Sequence, residues 1–308
     1  MFMKIGKGFA VLIISIVLGS CFNPPEFPNV PEIAFDRIEF NQGAVTDSLV
    51  LYITFKDGDG DLGVSAEDIR DLSAPFNNIT YYQTSPNIVD GKRETIPLST
   101  DAVTAEVIIN KTRVTQTYHV LNIPDRSIGE LVTIRTREKP GYDYLPLFEE
   151  CGRYLSTTTS HLLIAAADTV ILDKHTTFID TLYNTDNNNS PVYEIQDVLF
   201  YSVNPNHYNI EVDFLIKDPN STSTEHPGFT EFDWRDRPYC TTFDGRFPDL
   251  SVTSNGALEG TLRYSMESRG FTDLFGIDQP LKLRIQIKDH ALNKSNVVYT
   301  NVFTLQQI

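Results

Sequence analysis

The sequence predicts an all-β protein made of two tandem β-sandwiches. Three observations carry that expectation. First, runs such as LVLYITF (Leu49–Phe55), IEVDFLI (Ile210–Ile216) and LKLRIQI (Leu281–Ile287) alternate apolar and polar residues with the period of a half-buried strand. Second, helical periodicity is nearly absent. Only SAEDIRDL (Ser65–Leu72) offers a turn or two, with Ser65 as N-cap and Asp68 where a capping-box acid would sit. Third, two pairs of segments superpose without a gap: Asp36–Phe40 over Asp197–Tyr201, and Ile53–Asp57 over Phe214–Asp218. The shared offset and the common Lys-Asp ending read as a duplicated module.

Taken in order, residues 1–21 are a leader rather than part of the fold. Lys4 and Lys7 precede the apolar run Phe9–Leu18, which is too short to span a bilayer, and LGSC follows, ending at Cys21. LGSC resembles the lipobox of bacterial lipoproteins, which implies cleavage before Cys21 and acylation of that cysteine. Acyl chains anchor by burying methylenes, at about 0.8 kcal/mol each. Phe22 stands where Gram-negative sorting uses Asp for inner-membrane retention, so the expected destination is the outer membrane, with its periplasmic and cell-surface faces both open. Residues 22–31 hold four prolines in FNPPEFPNVP and form an extended tether. A first sandwich with a C-terminal extension is expected over 32–183 and a hinge over 184–190, rich in Asn and Asp. A second sandwich is expected over 191–308. Each unit has about the size of immunoglobulin-like or fibronectin-like domains, near 100 residues. The chain has one tryptophan, Trp234, so the Cys…Trp…Cys signature of antibody domains is missing and the assignment rests on strand pattern.

Charge narrows the partners. The chain carries 25 basic and 41 acidic side chains, net −16. Loss of the leader removes two lysines and no acids, which leaves 23 basic residues and net −18. Such a surface repels nucleic acid and anionic lipid. Cys151 and Cys240 then remain, and in an exported protein they are candidates for a disulfide.

The most pointed local feature is FKDGDGDLG, Phe55–Gly63. Asp57, Asp59 and Asp61 offer carboxylates at i, i+2 and i+4, with glycines between them that let the backbone curl. Hard cations such as calcium take six to eight oxygens, so these three are candidate calcium ligands. Leu62 stands where an EF-hand loop requires Gly, so the loop is of another kind. If the two sheets meet at this pole, Glu138 or Asp143 would add an oxygen. The corresponding loop of the second half, KDPNS, keeps one aspartate, and Asp289 is expected to stabilise that end. The competing reading is a solvated acidic turn chosen for its tight geometry.

Catalytic patterns are missing from the sequence: no G-x-S-x-G, no H-E-x-x-H, no glycine-rich phosphate loop, and scattered histidines. A non-enzymatic role is therefore expected. Trp234, Tyr239, Phe243 and Phe247 alternate with arginines in FDWRDRPYCTTFDGRFPDL. Such enrichment marks interfaces and sugar platforms, or an irregular loop folded onto a core.

Together the lipobox, PPEFPNVPEI, YITFKDGDGDLG, FDGRFPDL, LEGTLRYSM and LRIQIKDHALNKSN resemble Bacteroidota outer-membrane lipoproteins with Ig-like domains. The resemblance implies a lipid anchor on Cys21 and all-β domains. It also implies company with an outer-membrane β-barrel or another lipoprotein. The expected role is a structural or interaction subunit of such a complex. The alternative is a glycan-binding accessory lipoprotein of a nutrient-uptake system.

Overall fold

The computed structural model describes residues 27–109, 112–123, 130–147, 151, 153–156, 162–165, 176–184, 189–195, 197–250 and 256–308. The expected leader, Cys21 and the first half of the tether lie outside them. Sixteen strands are described: β1 (Glu32–Asn41), β2 (Asp47–Asp57), β3 (Ile79–Val89), β4 (Lys92–Leu98), β5 (Thr100–Ile109), β6 (Thr112–Leu121), β7 (Tyr154–Ser156), β8 (Leu162–Ala165), β9 (Thr176–Asn184), β10 (Asn189–Ile195), β11 (Val198–Val203), β12 (Ile210–Lys217), β13 (Phe229–Phe232), β14 (Leu258–Ser268), β15 (Leu281–Ile287) and β16 (Val298–Tyr299). Among the described residues, one short helix, α1 (Phe271–Phe275), and one 3-10 turn at Thr136–Glu138 complete the elements. The protein is all-β.

The alternating runs do what their period demands. β2 turns Leu49, Leu51, Ile53 and Phe55 inward, and β15 does the same with Leu281, Leu283, Ile285 and Ile287. Each such side chain contributes about 1.5–3 kcal/mol by leaving water. β2 is the middle strand of a sheet ordered β1-β2-β14, and β12 and β15 are the middle strands of a sheet ordered β13-β12-β15-β16. The inward rows of both sheets belong to one core, centred on Phe214. Phe214 has no exposed surface and lies 5.2–6.1 Å, ring to ring, from Trp234, Phe243, Phe271 and Phe275.

This pairing corrects the expected order of units. β2 is matched residue for residue with β14, from Asp57↔Leu258 to Asp47↔Ser268. The first and last portions of the chain therefore build a single sandwich, and β3 to β11 are inserted between them. The superposed segments are not equivalent either. Asp36–Phe40 lies in β1 beside β2, whereas β11 pairs with β3 and β7 and not with β12. The expected hinge is also strand: Asn184 ends β9 and Asn189–Pro191 pair in β10 with Tyr183, Leu182 and Thr181. Residues 185–188 of that hinge lie outside the described residues.

The inserted segment has its own cores. β4-β3-β11-β7 form one sheet, and β10-β8-β6-β5-β9 close a barrel in which β6 and β8 run parallel. Tyr81, Leu98, Leu121, Leu131, Leu162, Ile195 and Leu199 pack together, and Val132, Tyr142, Leu145 and Phe200 form a second cluster. Ser65 caps its turn by accepting from the amides of Glu67 and Asp68, yet Ser65–Leu72 stays a series of turns rather than a helix.

Candidate metal centre

The phase of β2 decides the site. Residues 49, 51, 53 and 55 point into the core, so 57 points the same way, and Asp57 is 0 % exposed. Among the described residues, neither of its carboxylate oxygens has a hydrogen-bond partner, nor does Oδ1 of Asp61. Asp57, Asp59 and Asp61 can each present an oxygen so that all three lie within 4.8 Å of one another. Asp59 is exposed and Asp61 half-buried, so the cluster runs from the core to the surface.

A buried carboxylate without donors is costly unless it holds a proton or meets a cation. Burial, followed by repulsion from Asp59 and Asp61, pushes the Asp57 carboxyl up to about 7. Burial and the charges of Asp289 and Asp59 push Asp61 up to about 6, against the Ala291 amide and His290.

Backbone from three distant segments holds the loop. The Gly58 amide donates to the Pro28 carbonyl at 2.8 Å, so the described end of the tether is laid on the acidic turn. A Cβ at position 58 would come within 2.2 Å of the Phe27 carbonyl oxygen, which only glycine avoids. Gly63 has φ +104° and a Cβ there would meet the Pro248 carbonyl oxygen at 2.2 Å. On either side of it, the Leu62 carbonyl accepts from the Leu250 amide and the Val64 amide donates to the Phe247 carbonyl. From the far end of the chain, the His290 amide donates to the Asp61 carbonyl and the Ala291 amide to Asp61 Oδ2, both at 3.1 Å.

Asp289, 1 % exposed, brings a fourth negative charge to the cluster, while its own oxygens accept from the Asn293 amide and side chain. His290 Nε2 lies 2.8 Å from Asp71 Oδ1, and the Ser65 amide donates to Asp71 Oδ2. Arg246 donates to the carbonyls of Ser65 and Asp71. No sequence pattern signals this Asp71–His290–Arg246 network, because its members are far apart in sequence and share no motif.

The Arg137–Leu145 segment does not supply the expected oxygen. It packs on β3 and β4, where the Arg93 amide donates to Gly141 and the Tyr142 hydroxyl to Ser85. Glu138 and Asp143 go with it. Asp218, in the KDPNS loop, is satisfied locally by the Asn220 amide and the Thr230 hydroxyl.

Cys151 and Cys240 form a disulfide with Cα atoms 4.8 Å apart, joining the inserted segment to the loop after β13. In that loop Trp234 is 7 % exposed, Phe243 9 % and Phe247 3 %, all in the sandwich core, and Tyr239 is 37 % exposed. Among the described residues no helix is long and apolar enough to cross a membrane. Comparison with protein-family models, curated proteins and solved structures found no match. The resemblance to outer-membrane lipoproteins accordingly rests on the sequence motifs alone.

Proposed function

We propose that this chain is a non-catalytic lipoprotein, held at the outer membrane through Cys21, whose sandwich is braced by calcium at Asp57, Asp59 and Asp61. Its role is that of a structural and interaction subunit of an outer-membrane protein complex. The observation that carries the cation reading is the fully buried Asp57 carboxylate, unpartnered at both oxygens among the described residues and set beside two further acids. Three carboxylates, backbone carbonyls and water match the oxygen shell that calcium takes. A bound cation would tie the end of β2 to the tether and to the 289–291 turn, the segments that meet at the loop. The interaction role rests on the anchor and on the family resemblance. The burial of Trp234, Phe243 and Phe247 removes most of the ring platform on which glycan binding would depend.

The test is recovery of the tagged full-length lipoprotein from gently solubilised outer membranes, with calcium and with chelator. A stoichiometric barrel or lipoprotein partner, weakened by chelator, is the expected result. A lone protein at native expression levels in both buffers would overturn the subunit reading.

A further inference from the structure

The four edges of the sandwich are not equally guarded. β13 and β16 are four and two residues long. β1 shifts register between Phe35 and Arg37, and the Asn296 side chain clamps its start, accepting from the Ile33 amide and donating to the Ile33 carbonyl. β14 is different. It runs eleven residues in unbroken register with β2 and contains no proline. Among the described residues, no strand pairs with its other side. A long, straight, unpaired edge presents a row of amides and carbonyls that another strand can take up.

The side chains on that strand say which strand fits. Glu259, Thr261, Arg263, Ser265 and Glu267 form its exposed row. Glu259 is engaged by Lys56 on β2 at 3.6 Å. Among the described residues, no ion pair engages Arg263 or Glu267. Directly opposed residues in an antiparallel pair have Cβ atoms about 4.5–5.5 Å apart, so charge matching across the pair selects the register. Two copies of β14 meeting about a twofold axis at Ser265 would set Arg263 of each copy against Glu267 of the other. The same register sets Tyr264 against Met266 twice on the inner face. An axis at Arg263 would oppose Arg263 to itself and Glu259 to Glu267, which is repulsive throughout.

We infer that β14 is a self-association edge whose occupant is a second copy of this chain, joined antiparallel about Ser265 into one continuous six-stranded sheet. This surface is independent of the cation site, which lies beyond the Leu258 end of β14, where Leu258 pairs with Asp57. It gives the chain an isologous contact of the kind that closes homodimers.

Cysteine cross-linking of the full-length lipoprotein in its membrane tests the register. Ser265→Cys places two thiols at the axis and gives up only a surface hydrogen bond to Ser48. Thr261→Cys lies four residues off the axis, where the two copies of the residue would be about 27 Å apart at 3.4 Å per residue. Under mild oxidation Ser265→Cys should give a covalent dimer and Thr261→Cys should not. Adding Arg263→Glu to Ser265→Cys should cut the yield about fivefold, because like charges then face each other twice. Adding Glu267→Arg as well should restore it. Equal cross-linking at both positions, none at either, or indifference to Arg263→Glu would each overturn the inference.

Discussion

The cation site turns on Asp57, whose burial follows from the parity of its strand. Leu49, Leu51, Ile53 and Phe55 share a parity with residue 57, so the strand pattern that fills the core also buries the first aspartate of the loop. The three-acid cluster was equally readable, from spacing alone. Its surroundings were not. Asp289 and His290 reach it from the other end of the chain, and Glu138 and Asp143 stay away because β3 and β4 hold their segment. Local spacing cannot report which distant loop arrives. The raised carboxyls give a pH dependence with a definite sign. Between the ordinary carboxylate value and about 7, folded Asp57 binds a proton that the unfolded chain has lost, so metal-free stability falls as pH rises through that window. In chelator, the melting temperature should therefore be higher at pH 5 than at pH 8. Calcium affinity should move the other way, rising roughly tenfold or more between pH 5.5 and 7.5 as Asp57 and Asp61 release protons. Asp57→Asn should flatten both trends and raise metal-free stability at pH 8. A pH-independent melting curve in chelator would remove the case for a strained, cation-seeking site.

At the scale of elements, the strands were readable and their pairing was not. Alternation locates β2, β12 and β15 because each is covered on one face, but it carries no information about partners, and β2 finds β14 some two hundred residues away. The apparent repeat has the same origin. β2 and β12 are central strands of opposed sheets around one core, so both need the same inward row and the same polar end. A shared environment is enough to produce such a match. The aromatic loop after β13 was open to two readings, and burial separates them. Phe214→Ala and Trp234→Ala should each cost about 3–5 kcal/mol in denaturant unfolding, since both rings sit in the packed core. A Trp234→Ala protein of undiminished stability would instead point to an open ring surface.

At the scale of the whole molecule, the described residues form an insertion architecture, with a sandwich made from β1, β2 and β12 to β16 and with β3 to β11 looped out between them. That order is invisible to a reading that cuts the chain at polar segments, because Asn184–Pro191 looks like a linker yet ends one strand and opens the next. The disulfide fastens the looped-out part to the sandwich across 89 residues of chain. Closing so long a loop restricts the unfolded state, so Cys151→Ser with Cys240→Ser should lower stability by about 2–4 kcal/mol. Intact-mass comparison before and after reduction checks the bond itself. A cation at the acidic loop would fasten the same body at another point, where the tether, the end of β2 and the 289–291 turn meet. At a calcium concentration a hundredfold above its dissociation constant, the gain should be about 2.7 kcal/mol. The most direct measurement is calorimetric titration of calcium into chelator-stripped protein at pH 7.5, with Asp57→Asn alongside. The expected result is saturable single-site binding that Asp57→Asn abolishes. No binding by the unmodified chain, or equal binding by the variant, would contradict the assignment of this loop as a cation site.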